Sequence, residues 1–291
     1  MGFVINNNLA ANTSYRNLNA TQGDLSKSLE KLSTGLRINR AGDDAAGLAI
    51  SEGLKAQVSG SAQAARNAQD GISVIQTTEG ALTEVHSILQ RVRDLAVQAG
   101  NDSNNTDSRA AITQEATSLA AEVKRMTGST NFNGINLLNG TAGTGGTAGT
   151  GVMSFQVGAG SADQITVDLG AANLDKATTG VNAVLTAVTT TADGFKDSTS
   201  AAATLTAIDG LIKNVSTARA GLGASQNRLE HTVKTLNVAG ENLQAAQSRI
   251  ADVDMAQEMV KFTKSNILSQ AGTAMLAQAN QSSQGVLSLL R

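Results

Sequence analysis

The chain contains no cysteine, no proline and no tryptophan, and its 291 residues include one tyrosine and five phenylalanines. The lack of cysteine excludes disulfides, thiolate metal sites and cysteine nucleophiles. An average chain of this length holds about 14 prolines. Their absence favours long uninterrupted helices, because proline removes a backbone donor and clashes with the preceding turn. With so few aromatic side chains, any core must be built from Leu, Ile, Val and Ala. Neither sign of charge is in excess: 22 Lys and Arg stand against 24 Asp and Glu, a formal net charge of −2. That balance gives no electrostatic footprint for nucleic acid or for an anionic membrane. No run approaches the roughly 18 apolar residues of a membrane span. The opening Met1–Asn8 segment has neither a basic nor an apolar region of signal-peptide type. A cleaved secretory signal is therefore not expected, and export by a route that needs none stays open.

Catalytic chemistry is equally short of material. His86 and His231 are the only histidines, and neither has a second ligand at helical spacing, so a metal or triad role is not expected. Glu79 with Glu84, and Asp43 with Asp44, read as solvated or capping acids rather than as a hydrolase pair. The glycines of 140–151 do not open a helix with Lys-Ser/Thr, so they form no phosphate loop. The expectation is a non-enzyme without cofactor or metal.

The length suggests about two domains, but composition divides the chain into three. Residues up to about Gly128 and from about Ala201 onward are rich in helix formers, whereas 130–200 turn to Gly, Thr, Ala and Asn. Within the middle, Met153, Phe155 and Val157 alternate with polar residues, as do Ile165, Val167 and Leu169. These two period-two runs predict a β-hairpin over about 152–170. Asn133-Gly134 and Asn139-Gly140 are turn signals just upstream. Residues 171–200 read as a short variable surface segment.

The helical ends carry heptads. One series is Leu18, Leu25, Leu29, Leu32 and Leu36; another is Leu82, Val85, Leu89, Val92, Ala96 and Ala99. The longest runs from Leu205 through Ile208, Ile212, Val215, Arg219, Leu222, Gln226, Leu229, Val233, Leu236, Gly240, Leu243 and Gln247 to Ile250. This spacing predicts a coiled-coil-like seam, and residues 205–250 as one helix would extend roughly 70 Å. The fold class expected is mainly α: an elongated rod of long antiparallel helices with a small β-hairpin, its N- and C-terminal helices paired.

Both ends of the chain are apolar, where termini are normally polar. Phe3, Val4, Ile5 and Leu9 open it; Ile267, Leu268, Met275, Leu276, Val286, Leu287, Leu289 and Leu290 run to within one residue of Arg291. Met255, Met259, Phe262 and Met275 add a series at roughly helical spacing. Either two terminal helices fold back on one bundle, or copies of the same chain bury these ends. The second reading is favoured, because one helix hairpin cannot cover both stripes. A heterologous contact that does not close then gives a helical filament. Between the first heptads and the next long helix, Gly42 and Gly47 bracket Asp43 and Asp44. They read either as an ordinary loop with an N-cap, or as a joint in which Arg37 and Arg40 pair with acids of a neighbouring subunit.

Four segments, in order, resemble bacterial flagellin. The first and most specific is Ser33-Thr34-Gly35-Leu36-Arg37-Ile38-Asn39-Arg40-Ala41-Gly42-Asp43-Asp44-Ala45-Ala46-Gly47-Leu48-Ala49-Ile50-Ser51. The others are Leu89-Gln90-Arg91-Val92-Arg93-Asp94-Leu95-Ala96-Val97-Gln98, Asn131-Phe132-Asn133-Gly134, and Ser248-Arg249-Ile250-Ala251-Asp252-Val253-Asp254-Met255-Ala256. The resemblance is to a short form without large outer domains. It implies a flagellar filament subunit, extracellular in its assembled state and exported unfolded through the flagellar type III apparatus. Residues 1–43 with 254–291 would form an inner tube, and 44–170 with 201–253 a surrounding helical layer carrying the hairpin. Asn39 and the residues from Arg37 to Gly47 named above would form the joint between layers.

The resemblance also implies partners: further copies of the chain, an export chaperone, and hook-associated and cap proteins. Assembly and chaperone binding would use Met255, Met259, Phe262, Ile267, Met275, Leu276, Leu287 and Leu290. Host Toll-like receptor 5 would contact Arg91, Leu95 and Glu115, with Asp94 standing where Glu is usual. Sugar on Ser or Thr within 141–200 would follow some members, though no site is identified. The alternatives are a hook–filament junction protein and a secreted coiled-coil binding module.

Overall fold

The computed structural model describes residues 8–142, 151–170 and 195–289, with side chains described as far as 281. Phe3, Val4, Ile5, Leu290 and nearly all of the 171–200 segment lie outside the described residues, as does the side chain of Leu287. Five helices are described: α1 Leu9–Thr34, α2 Ala45–Ala99, α3 Thr106–Ser129, α4 Ser198–Ala251 and α5 Met255–Leu289. Two antiparallel hairpins pair β1 (Asn131–Phe132) with β2 (Ile135–Asn136), and β3 (Val152–Gln156) with β4 (Gln164–Asp168). The 55 residues of α2 and 54 of α4 run without a break, as a proline-free sequence permits.

Short polar side chains set the helix ends. Asn8 accepts from the Ala11 N–H, Asn105 from Ser108 and Asp197 from Ser200, all close to 3 Å, satisfying donors that the first turn leaves free. Hydrogen bonds from Ser200 hold the Asp197 carboxyl below its usual range. Asp254 caps α5 by accepting from Ala256 and Gln257 at 3.0 and 3.2 Å. α1 stops at Gly35, whose φ of 73° is the left-handed conformation of a helix C-cap. In the β1–β2 turn, Asn133 and Gly134 both have positive φ, 50° and 78°, the requirement of a type I′ turn.

The chain packs as two compact units. One comprises residues through Val58 with those from Glu241 onward; the other is Ser59–Gly240. These divisions fall inside α2 and α4, whereas the layering expected at 43/44 and 253/254 follows the breaks between helices.

Within Ser59–Gly240, α2, α3, α4 and the larger hairpin share one aliphatic core. The series Leu82, Val85, Leu89, Val92, Ala96 and Ala99 is buried throughout, as its spacing predicts. β3 and β4 pair Met153 with Val167 and Phe155 with Ile165, as the alternation predicts. The larger hairpin sits on α2 where that helix lacks side chains. A Cβ on Gly71 would lie 3.2 Å from both Phe155 and Leu229, and one on Gly60 2.8 Å from Ala159. Asn67 fixes the contact by donating to the Gln156 carbonyl at 3.0 Å.

The α4 seam differs from its expected course. Ile208, Val215, Leu222 and Leu229 are buried as predicted, but the alternate positions are Thr204, Leu211 and Ala218 rather than Leu205, Ile212 and Arg219. Two 3–4 paths share every seventh residue, and the observed one places Ala218 inside, sparing the burial of a guanidinium. Arg219 lies beside it, 3.7 Å from Glu79. Beyond Leu229 the seam residues are only half-buried. In α1, similarly, Ser28 is buried where the Leu series predicts Leu29, which is 56% exposed.

Candidate functional site

The segment linking α1 to α2 is held within the chain. The Arg37 N–H donates to the Ala251 carbonyl at 2.6 Å, and the Val253 N–H to Gly35 at 3.0 Å, so the linker pairs with the exit from α4. The Arg37 guanidinium donates through Nε and Nη2 to the Ile250 carbonyl at 3.1 and 2.7 Å, a cation at the negative end of α4. Asn39 Nδ2 and Arg40 Nε both donate to Glu30 Oε1, at 2.5 and 2.9 Å.

Within the chain, then, α4 and α1 supply acceptors to Arg37 and Arg40. Asp43 accepts from the N–H groups of Asn39 and Arg40, and these bonds hold its carboxyl below the usual range. Asp44 caps α2 by accepting from Gly47 at 2.9 Å. Gly47 is required for packing, because a Cβ there would lie 2.4 Å from Asp44 and 2.7 Å from Ile38. Gly42 has open space around it; the residue that needs glycine's left-handed freedom is Gly35.

α1 and α5 pair antiparallel. Asn8 Nδ2 donates to the Ala279 carbonyl at 3.0 Å near one end, and Ser28 Oγ to Glu258 Oε1 at 2.6 Å near the other. The inward residues of α5 are Glu258, Phe262, Ser265, Ser269, Gly272, Leu276 and Ala279, an unbroken 3–4 repeat. Small and polar residues dominate this seam, leaving much of the apolar series outside. Met255, Met259, Val260, Ile267, Leu268 and Met275 are all exposed, Ile267 to 61% and Val260 to 69%. Leu9, Tyr15 and Leu29 are likewise exposed on α1. Of the residues named for terminal assembly, Phe262 and Leu276 turn toward α1, whereas Met255, Met259, Ile267 and Met275 are exposed, Met259 and Ile267 forming an outer apolar strip with Val260 and Leu268.

Arg91, Leu95 and Glu115 divide differently from their grouping in sequence. Arg91 on α2 reaches Glu115 on α3, its Nε and Nη2 donating to Oε1 at 3.0 and 2.7 Å, and both side chains are about half exposed. Leu95 is 2% exposed and packs in the aliphatic core beneath them. The resemblance groups Leu95 with Arg91 and Glu115; in the structure Leu95 lies on the core side of α2, apart from the exposed ion pair.

Sequence reasoning missed the two charged side chains that are buried among the described residues, Glu258 and Arg109. Glu258 is buried in the α1–α5 seam, and the Ser28 hydroxyl, followed by Lys261 at 3.1 Å, holds its carboxyl below the usual range. Its sequence cue was an acid one step off the apolar Met255–Met259–Phe262 path. Arg109 is buried at the start of α3. It donates to the carbonyls of Asn101, Asn104 and Lys196 at 3.2–3.4 Å, tying the α2–α3 loop to the residues entering α4. Its cue was a cation in helical phase with Ile112 and Ala116.

Comparison with known proteins assigns this arrangement to a family. Residues 5–143 match the bacterial flagellin N-terminal helical region, and 205–290 match the bacterial flagellin C-terminal helical region. The chain is 52% identical to a flagellin of Halalkalibacterium halodurans, with 99% of this chain and 100% of that protein aligned. It is 51% identical to a flagellin of Bacillus subtilis, with 99% of each aligned. A solved Vibrio parahaemolyticus structure, described as a flagellar hook-associated protein, covers 72% of this chain and 100% of its own. Its TM-score is 0.55 at 18% identity, a likeness of fold alone. Matched at both helical ends and aligned over almost its whole length, the chain belongs to the bacterial flagellin family.

Proposed function

We propose that this chain is a structural subunit of the flagellar filament and that it assembles with copies of itself into a hollow helical propeller. The observation that carries the reading is the outer apolar strip of α5. A monomer seldom leaves so continuous an apolar surface in water, and at about 25 cal/mol per Å² its burial by neighbours is strongly favourable. In this reading the terminal helices build the innermost tube and residues 44–253 the layer around it. Before assembly the same strip is what an export chaperone covers, and the chain passes unfolded through the flagellar type III apparatus. Lack of cysteine and proline suits that passage, since neither disulfide exchange nor X-Pro isomerisation delays refolding. Hook-associated and cap proteins meet the filament's ends, and the Arg91–Glu115 patch is offered to Toll-like receptor 5 by the monomer.

The test is assembly after heating and cooling, followed by sedimentation and electron microscopy. Seeded growth of long filaments supports the proposal. A monodisperse monomer under all seeding conditions overturns it in favour of a secreted coiled-coil module, and short capped assemblies point to a junction protein. Removing 271–291 should leave a folded chain that no longer polymerises.

A further inference from the structure

Methionine is the side chain of this protein most open to oxidation. The chain has no cysteine or tryptophan to compete for an oxidant, and peroxides convert a thioether to a sulfoxide. Six methionines are present; Met1 lies outside the described residues, and the other five fall into two classes. Met126 and Met153 are half-buried and packed against the aliphatic core of Ser59–Gly240. Met255, Met259 and Met275 of α5 are exposed, to 48%, 50% and 63%. They are open to solvent when α5 lies against α1, and an unpaired or unfolded terminus exposes them as well.

We infer that Met259, flanked by Met255 and Met275, is a reversible oxidation site whose sulfoxide keeps the subunit from assembling. The effect on assembly rests on the proposed function, in which neighbours cover the outer strip. With hydrogen peroxide as the oxidant, the Met259 sulfur gives up two electrons and bonds one peroxide oxygen. The O–O bond breaks, and the second oxygen leaves as water.

Met259 shares the strip with Val260, Thr263, Lys264, Ile267 and Leu268. A thioether suits that setting, because it is apolar and adapts its shape to what covers it. A sulfoxide does not, because its oxygen is a polar acceptor that loses its water when the strip is covered. Thr263 cannot replace that water: its hydroxyl already donates to the Met259 carbonyl at 2.8 Å. Lys264 is the other donor in the strip, and it also borders the cleft of Asp24 and Glu258. For its ammonium to follow a covered sulfoxide, a charge would have to be buried as well. Met255, one turn before Met259, lies on the same side of the helix, and Met275 extends the same chemistry toward the C-terminus. Oxidation thus strikes the part of the chain that needs neighbours and spares the part that packs on itself.

The test treats the full-length monomer with hydrogen peroxide, quenches it, and follows peptide mass spectrometry, thermal unfolding and seeded assembly. Each protein is compared with its own untreated sample. Sulfoxide should accumulate at Met255, Met259 and Met275 before Met126 and Met153. At that stage the melting temperature should be unchanged, while the critical concentration rises about tenfold or more, as burial of one unsatisfied polar group requires. Peptide methionine sulfoxide reductases acting on both epimers should reverse the rise. A variant combining Met255→Leu, Met259→Leu and Met275→Leu keeps Met1, Met126 and Met153, and treatment should no longer shift its critical concentration. Met259→Leu alone, which serves where the triple substitution itself weakens assembly, should show a smaller shift than the parent. Oxidised subunits that assemble at the untreated critical concentration, or leucine variants as sensitive as the parent, overturn the inference. So does a melting temperature that falls in step with assembly, since the damage would then lie in the core. An untreated parent that forms no filament under any seeding condition sinks the proposed function itself, and the assembly block with it.

Discussion

The two helix seams of this chain spend their apolar residues in opposite directions. In the unit formed by Ser59–Gly240, Leu82, Val85, Leu89 and Val92 of α2 meet Ile208, Leu211, Val215 and Leu222 of α4 in a buried core. In the terminal unit, Ser28, Glu258, Ser265, Ser269 and Gly272 lie within the seam, while Met259, Val260, Ile267 and Met275 face outward. Both seams keep the same 3–4 spacing. What differs is the face carrying the hydrophobic side chains, and hence whether the chain stabilises itself or requires neighbours. A core that faces inward stabilises the unit that carries it; under the proposed assembly, one that faces outward is half of an interface.

Large-to-small substitutions should separate the two cases most sharply. Leu82→Ala removes a fully buried side chain and should cost about 2–5 kcal/mol, lowering the melting temperature of the monomer. Ile267→Ala, at an exposed position, should change monomer stability by no more than about 0.5 kcal/mol, yet slow or abolish polymerisation. Thermal unfolding of the monomer and the critical concentration for assembly measure the two effects. Should Ile267→Ala destabilise the monomer as much as Leu82→Ala, the comparison between the seams would fail.

Acid should weaken the terminal seam through Glu258. Its carboxyl lies below the ordinary glutamate range because Ser28 and Lys261 stabilise the charged form. The unfolded chain therefore takes up the proton more readily than the folded one. This stabilisation is fully present above the ordinary glutamate pKa and is lost as pH falls through the depressed folded value. The other groups lining the same cleft are Asp24, Lys27, Lys31 and Lys264, so protonating Glu258 also leaves the lysines with less negative charge to balance them. Hydrogen exchange in α1 and α5, followed from neutral pH down to about 3, should accelerate before exchange in the buried parts of α2 and α4. Glu258→Gln should flatten much of that response. Equal acceleration in both units would mean that titration elsewhere governs it.

How far the fold can be read from the sequence follows from the same contrast. The hairpin and the α2 series were legible because period-two and 3–4 spacings coincide there with residues that the chain buries in itself. The Asn133-Gly134 turn was legible because both positions require positive φ. The α4 seam was half legible: Ile208, Val215, Leu222 and Leu229 are common to two possible paths, and only packing chooses between Ala218 and Arg219. The terminal seam was not legible from hydrophobicity, which identifies residues that favour burial without saying which molecule buries them. Leu29 outside and Ser28 inside are the clearest instance. Arg37 and Arg40 lie in the segment that the sequence singles out between two helices, but their acceptors within the chain, the Ile250 carbonyl and Glu30, come from elements that only folding brings alongside.

The smallest stability effect belongs to the Arg91–Glu115 pair, and it gives the finest distinction between surface and core. Both side chains are about half exposed, and an ion pair in such a setting contributes about 0.2–1 kcal/mol. Arg91→Ala and Glu115→Ala should therefore leave the melting temperature almost unchanged, and a double-mutant cycle should give a coupling within that range. Leu95→Ala, one helical turn from Arg91 but buried, should cost about 2–5 kcal/mol. If this patch is what Toll-like receptor 5 reads, the two surface substitutions should lower signalling by monomers at unchanged stability. Leu95→Ala should lower it only in proportion to the fraction unfolded. Potency normalised to folded protein makes the separation: a normalised loss in Leu95→Ala equal to that in Arg91→Ala would require the receptor to reach a side chain that the folded core covers.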